Sequence, residues 1–441
     1  MRDCLNKIRF YIALLIAKLL FAAFKILNPQ GGTSFAGLTV LKLCPDFLSI
    51  ASRYVKGTKT AITGTNGKTT TAGILSHIFE YTKRKIIHND RGANMLSGVA
   101  NTFAQEIGLT GSFDGCVIES DEAYLTKLFD YIDFNYLIVT NLFRDQLDRY
   151  GELDTTALKI QNAIAKNGTL KLLLNADDPI VASFGSERET LYYGFEEVRY
   201  ANTGIRSNAP LEVFGCKCGK SLKYKDTFYA HQGHYYCDCG FERPECKYSA
   251  TIEIFDDYSE LKIDNSRYTL ASVGLYNAYN ALAAIAMALE EGISSEEIQQ
   301  ALDTYEPVFG RYQKCKIKGY DAVIQLIKNP TGASEVLKTV DLNSCIMIAI
   351  NDNYADGRDV SWLWDSDFEQ LQNVKECIVV SGIRALDMGL RLKYAGINED
   401  KIVVMEDIKD AVDYLARNLK QNRKITILPS YTALLELMRI I

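Results

Sequence analysis

Proline, tryptophan and histidine are scarce in this sequence, at 8, 2 and 4 residues of 441. With 30 glycines beside so few prolines and an ordinary 47% hydrophobic, 24% charged composition, collagen-like, low-complexity and wholly disordered chains are excluded. The four histidines are His77, His88, His231 and His234, and none stands beside a cysteine in a glycine-rich turn. A cysteine–histidine nucleophile of the chain's own is therefore not expected. Basic charge is not in excess: 49 Lys and Arg face 55 Asp and Glu, for a net charge of -6. A nucleic-acid partner is not expected from that balance, and small anions held locally suit it better. No apolar run reaches the ~18 residues of a membrane-spanning helix. The most apolar stretch, IRFYIALLIAKLLFAAFKIL, is interrupted by Lys18 and Lys25. No small-residue cleavage site follows it, which argues against a signal peptide.

What is present suffices for more than one core. At roughly 150 residues per domain, two to three domains are expected. The N-terminal stretch reads as a helix with Lys7, Lys18 and Lys25 on one narrow face and Arg9 opposite. It either packs on its own domain or lies on a membrane surface. The cysteines number 11, an odd count that does not suit a disulfide framework. Cys4, Cys44, Cys116, Cys315, Cys345 and Cys377 are scattered, mostly in apolar runs, and read as reduced core thiols. Five more crowd between Cys216 and Cys246.

Along the chain, KTAIT, KIIHND, GCVIES, YLIVTNLF and KLLLNADDP read as parallel strands, with helices such as TTALKIQNAIAKNG between them. That alternation predicts a doubly wound α/β sheet. From about 200 to 250 the texture changes to Gly, Cys, Tyr and Lys, as in an insertion of short strands. GLYNAYNALAAIAMALEEG reads as a long helix with a glycine stop. A second α/β series follows, with AVIQLI, CIMIAI, ECIVVSG, KIVVME and KITILPS as strands, and a boundary near 312–320.

The strongest local signal is Gly64-Thr65-Asn66-Gly67-Lys68-Thr69-Thr70, after a strand and opening a helix. Backbone N–H groups and the helix N-terminus can cradle phosphates there. Lys68 can neutralise the β- and γ-phosphates of ATP, and the Thr69 hydroxyl can ligate Mg²⁺. The loop is shorter than the general phosphate-loop pattern, which would put its first glycine at Ile62.

GTNGKTT resembles the ATP loop of the Mur ligase family, enzymes that make amide bonds through an acyl phosphate. Glu119, ending GCVIES, looks like the family's Mg²⁺-binding glutamate, with Asp121 and Glu122 as weaker candidates. VTNLFRDQLDRYGELD resembles a family segment in which Gln146 replaces a metal-binding His, and glutamine is a poor metal ligand beside imidazole. Asn277 and Asn280 match the N-x-x-N helix start, where the first Asn meets adenine; the bland alternative is helix capping. Arg311, in FGRYQ, matches the Gly-Arg whose guanidinium contacts phosphate. Lys328-Asn329-Pro330 stands where the family has His-x-Pro or His-Asn-Pro.

About 55 residues precede the ATP-loop strand, too few for the family's nucleotide-substrate domain. With IIHNDRGANM and NDNYADGRDVSWLWD, this makes the chain similar to the MurT branch of the family. The resemblance implies residues 1–50 as an N-terminal helical segment and 51–311 as a central ATPase domain. It implies 312–441 as a Rossmann-like C-terminal domain contacting a glutaminase. It also implies a zinc ribbon inserted at 205–250. Cys216, Cys218, Cys237 and Cys239 would give four thiolates for structural Zn²⁺, with His231, His234 and Cys246 in reserve. The implied activity is ATP-dependent amidation of the D-glutamate α-carboxylate in the lipid II stem peptide. Ammonia would come from a GatD-type glutaminase partner, and the work would be done in the cytoplasm, at or near the inner face of the membrane. Lys68, Glu119 and Arg311 would be catalytic. Asp359 would orient the partner's histidine as a triad acid does; its bland reading is a structural Asp in the DGRD turn. Trp362 and Trp364 suit either an interface or a core. The rival readings are a ligase that adds an amino acid, and a zinc-ribbon scaffold that binds ATP without catalysis.

Overall fold

The computed structural model describes residues 2–27, 35–90, 93–108, 111–143, 153–185, 188–201, 215–255, 257–307, 310–418 and 424–441. The strands in chain order are β1 (Val55–Thr63), β2 (Ile86–His88), β3 (Phe113–Glu119), β4 (Tyr136–Val139), β5 (Lys171–Asn175) and β6 (Thr190–Tyr200). Next come β7 (Lys223–Tyr229), β8 (Gln232–Tyr236), β9 (Tyr248–Ile254), β10 (Ser259–Ile263) and β11 (Ser266–Leu270). The last are β12 (Arg311–Ile317), β13 (Tyr320–Gln325), β14 (Cys345–Ala349), β15 (Ile378–Ser381), β16 (Ile402–Val404) and β17 (Ile425–Pro429).

Nine strands form the first sheet, in the order β11-β10-β9-β6-β5-β4-β1-β3-β2. From β2 to β9 every pairing is parallel, and β10 and β11 add an antiparallel end. The five expected strands KTAIT to KLLLNADDP all occur. Their apolar runs are buried on both faces, as helix-covered parallel strands require. The expected long helix is Leu275–Glu290. Its alanines are buried, and it packs against helix Lys68–Tyr81 behind the glycine loop.

The second sheet runs β12-β13-β17-β14-β15-β16. It contains the five strands expected there, all parallel, plus β12, which pairs antiparallel with β13. The series therefore opens at Arg311, on a polar strand with Lys314 and Lys316 of the kind that sits at sheet edges.

The N-terminal helix Arg2–Leu27 buries Phe10, Ala13, Leu14 and Ala17 in one cluster with Val40, Val99 and Phe103. Its opposite face is exposed. Among the scattered cysteines, Cys44, Cys116 and Cys345 are buried, and Cys315 and Cys377 half-buried; the side chain of Cys4 lies outside the described residues. No disulfide occurs among the described residues.

Candidate active site

The loop from Gly64 to Gly67 joins the buried end of β1 to helix Lys68–Tyr81. Gly67 has φ +85°, and the Asn280 Oδ1 lies 1.9 Å from where a Cβ would stand. Only glycine fits that position. The residues after β4 grip the loop. Asn141 accepts the Thr65 N–H through its carbonyl and the Asn66 N–H through Oδ1, both at 2.9 Å. The Thr140 hydroxyl donates to the Asn66 carbonyl at 2.7 Å. The Thr65 Oγ1 accepts from the Phe143 N–H at 3.0 Å and donates to the Phe143 carbonyl at 3.2 Å. The loop is thus held before any phosphate arrives. Thr69 is half-buried and Thr70 buried in the first helical turn, where N–H groups have no carbonyl of their own helix to bond.

Lys68 is buried. Its Nζ is 2.9 Å from the Glu122 Oε1 and donates to the Gly64 carbonyl. Burial alone would pull this ammonium's pKa down, but Glu122, Asp121 and Glu119 together hold it above the ordinary value. Burial pushes the Glu122 carboxyl up, against the pull of Lys68. Glu122 also accepts the Gly64 N–H at 3.2 Å. Of the two weaker candidates, then, Glu122 joins the loop, while Asp121 caps helix Glu122–Leu128 through the Ala123 N–H.

Glu119 is buried at the end of β3. Asn89 clamps its backbone with two bonds of 2.8 Å, and the Asn94 amide reaches its Oε1 at 3.4 Å. Its Oε2 is buried and has no hydrogen-bond partner among the described residues. An unpartnered carboxylate oxygen beside a phosphate loop suits a hard cation. The clamping asparagines lie in IIHNDRGANM, but nothing in that string announces which carboxylate they would hold.

The other expected residues reach the loop from further along the chain. Asn277 is buried and its amide donates to the Val273 carbonyl at 2.8 Å; the helix N-cap is Gly274 and no side chain bonds a free N–H there, so the capping alternative does not hold. From the second sheet, Lys328 Nζ donates to the Thr65 carbonyl at 3.3 Å. The Asn329 and Asn66 amides exchange bonds of 3.0 and 3.4 Å. Asn329 also caps helix Pro330–Lys338. Arg311 begins β12 after Gly310, and its side chain lies outside the described residues, as does all of Gln146.

Residues 62–288 match the Mur ligase middle domain, and residues 326–434 the MurT ligase C-terminal family. The subunit MurT of lipid II isoglutaminyl synthase (glutamine-hydrolyzing) from Staphylococcus aureus strain COL is 35% identical over 431 residues, covering 97% of this chain and 96% of that one. The chain belongs to the MurT branch of the Mur ligase family. The Streptococcus pneumoniae MurT subunit is 34% identical, with 92% and 91% of the two chains covered. Among solved structures, a pseudomurein peptide ligase type C from Methanothermus fervidus has a TM-score of 0.67 at 24% identity, covering 88% of this chain and 80% of that one. MurF from Acinetobacter baumannii has 0.65 at 17%, covering 92% and 80%. These structures show the Mur ligase fold, and the family makes this chain a ligase.

In this MurT-branch chain, the insertion carries the two-stranded sheet β7-β8. Two like turns flank it. The Cys216 N–H donates to the Lys220 carbonyl and the Cys237 N–H to the Phe241 carbonyl, both at 2.7 Å, with Gly219 and Gly240 at φ +83° and +91°. The turns bring the sulfurs of Cys216, Cys218, Cys237 and Cys239 within 4.8 Å of one another. Cys216 lies 3.5 Å from Cys239, and Cys218 3.6 Å from Cys237. A tetrahedron with metal–sulfur bonds of about 2.3 Å has edges of about 3.8 Å, so the donor set fits Zn²⁺. The three reserve ligands stand elsewhere. His231 is fully buried at the hairpin tip, 3.3 Å from Asp178 and with its ring against Phe143. His234 bonds the Phe195 carbonyl at 2.9 Å. Cys246 lies by the Pro244 carbonyl.

Asp359 is half-buried, and its carboxylate accepts the Ser361 N–H at 2.8 Å, a local turn bond. The tryptophans divide: Trp362 is buried, while Trp364 is 51% exposed and sits edge-on to Tyr394 at 5.7 Å. Ile383, Leu386 and Leu390 are exposed on or beside helix Ala385–Tyr394.

Proposed function

We propose that this chain is the ligase subunit that amidates the D-glutamate α-carboxylate of a lipid II stem peptide, with ammonia delivered by a GatD-type glutaminase subunit. The end-to-end 35% identity to a named MurT subunit carries this reading. The loop geometry alone would serve an amino-acid-adding ligase equally well. Residues 51–311 serve as the ATPase domain around an inserted zinc ribbon at 205–250, and 312–441 as the domain that meets the glutaminase.

ATP lies on the loop from Gly64 to Thr70, with Asn277 toward the base. Thr69 and Glu119 hold Mg²⁺, which supplies positive charge to the phosphate oxygens. A carboxylate oxygen of the substrate attacks the γ-phosphorus as the bond to ADP breaks, leaving an acyl phosphate. Lys68 and Arg311 stabilise the charge that spreads over the transferring oxygens. Ammonia nitrogen then attacks the acyl carbon, inorganic phosphate leaves, and the nitrogen loses a proton to give the amide. The four cysteines hold a structural zinc with no position left for a catalytic water. Asp359 orients the partner's histidine, and the exposed side chains around Trp364 and Tyr394 seat that partner.

Product mass tests the reading. The chain is incubated with lipid II, ATP, Mg²⁺ and ammonium, then with glutamine with and without a candidate glutaminase. The expected product exchanges one hydroxyl for an amino group, and from glutamine only with the partner. Asp359→Ala is expected to lose glutamine-dependent turnover and keep ammonium-dependent turnover. A product heavier by an amino-acid residue would overturn the reading.

A further inference from the structure

The two faces of helix Arg2–Leu27 raise a question that the ligase chemistry does not answer. One face is core. The other exposes Ile8, Tyr11, Ile12, Leu15 and Leu19, with Ile12 50% and Leu15 and Leu19 each 62% exposed. At about 100° per residue these five fall within an arc of about 100°, opposite the buried Phe10, Ala13, Leu14 and Ala17. Lys7 and Lys18 border the arc on one side and Arg9 on the other; all three are exposed. Lys18 donates along that border to the Gln105 carbonyl. Helix Phe35–Leu43 packs beside this helix and exposes Phe35, Leu38 and Lys42 on its outer side.

Charge selects the occupant. Residues 1–60 hold nine Lys and Arg and only two acidic residues, Asp3 and Asp46, although the whole chain has more acidic than basic residues. An apolar stripe edged by cations, in a basic part of an acidic chain, matches a bilayer surface rich in anionic lipid. The apolar side chains enter the acyl boundary, and the flanking cations meet the headgroups. No single helix among the described residues is long and apolar enough to cross a membrane, although Phe35–Leu43 and Phe47–Tyr54 pass that test as a pair bent by 94°. Helix Arg2–Leu27 keeps Phe10, Ala13, Leu14 and Ala17 in the protein core, so its contact with a bilayer is in-plane. We infer that the exposed face of helix Arg2–Leu27, extended by Phe35 and Leu38, docks this chain on anionic membrane. The inference draws on the lipid-linked substrate only for its purpose, not for its evidence.

The test is sedimentation of the full chain with vesicles that contain no lipid II, made of phosphatidylcholine alone or mixed with phosphatidylglycerol. Binding is expected to the mixed vesicles and to fall with added salt. Ile12→Glu/Leu15→Glu changes exposed positions only. It is expected to weaken binding at least tenfold with an unchanged melting temperature. Lys7→Glu/Arg9→Glu is expected to remove the preference for phosphatidylglycerol. Equal binding by the Ile12/Leu15 variant, or none by the natural chain, overturns the inference. So does a dimer of the natural chain that this variant dissolves, since the face would then bind a second copy. Amidation is scored separately with ammonium and detergent-dispersed lipid II. No vesicle binding by the natural chain with its amidation intact sinks only the surface, and vesicle binding without amidation sinks only the ligase reading.

Discussion

Replacing Glu122 by glutamine removes the nearest anion to Lys68 and little else, because the amide nearly matches the carboxylate in shape. The side chains of Lys68 and Glu122 are 10% and 7% exposed, so solvent screens the pair weakly. Deleting one partner of such a pair costs about 3–5 kcal/mol. Here Asp121 and Glu119 still attract the ammonium, and the Gly64 and Thr65 carbonyls still accept from it. A cost at or just below the bottom of that range, about 2–3 kcal/mol, is therefore expected. At about 2–4 °C per kcal/mol for a domain of this size, the nucleotide-free variant should melt roughly 5–10 °C below the natural chain.

Nucleotide should reverse the order. With ATP on the loop as proposed, its phosphates in the natural chain would share Lys68 with Glu122 and lie near its negative charge. In Glu122→Gln they replace the missing anion. The rise in melting temperature on adding ATP and Mg²⁺ should be larger in the variant, and ATP should bind about tenfold or more tightly, the equivalent of about 1.4 kcal/mol. Differential scanning fluorimetry with and without ATP reads the first quantity, and calorimetric titration the second. If the variant were as stable as the natural chain, the pair would be electrostatically idle. If it lost its response to ATP and Mg²⁺, Glu122 would be a ligand of the cation, and the division of labour between Glu119 and Glu122 drawn above would be wrong.

Glu119→Ala should abolish turnover with the fold kept, scored by phosphate release beside circular dichroism; retained turnover would remove Glu119 from the metal site. Cys237→Ser should lower bound zinc from one per chain toward none by plasma mass spectrometry and lower the melting temperature, and unchanged zinc would show that the four sulfurs are not the ligands. Burial holds His88 down to about 4, with Asp90 pulling partly the other way. The unfolded chain, titrating near 6.5, thus takes up a proton that the folded one refuses. The resulting stabilisation is full above pH 6.5 and fades as pH falls to 4, by about 3 kcal/mol. His88→Gln should flatten the denaturant-midpoint profile in that window, and a profile parallel to the natural one would refute the assignment.

The parts of the site that the sequence made legible are those in which neighbouring residues act together. A phosphate loop needs its glycines, lysine and threonine at adjacent backbone positions, so Gly64 to Thr70 could be read as a string. The four cysteines could be grouped by spacing, but the juxtaposition of Cys216 with Cys239 and of Cys218 with Cys237 exists only once the hairpin folds. Glu122 was hard to rank against Asp121 for a related reason. Both follow the same strand, and only the start of a helix at Glu122 makes one a cap and turns the other to Lys68. β12 is not legible as a buried strand because its lysines break the apolar run that marks such strands, nor are β10 and β11, whose alternating pattern is that of a sheet end with one wet face.

Lys328 shows how a departure from a family pattern is resolved by geometry. The family pattern has a histidine at this position. In the structure the lysine ammonium donates to the Thr65 carbonyl, while Asn329 exchanges amide bonds with Asn66. A neutral imidazole offers one N–H donor, and an ammonium offers three. The change therefore keeps a donor from the second sheet on the glycine loop and adds a positive charge where the proposed function puts the phosphates. Lys328→His should preserve the Asn329–Asn66 contact yet weaken ATP binding, and more so at pH 8 than at pH 6, because imidazole is neutral at the higher pH and charged at the lower. Calorimetric titration at the two pH values checks this. ATP affinity in Lys328→His equal to that of the natural chain at both would leave the lysine as a hydrogen-bond donor and nothing more.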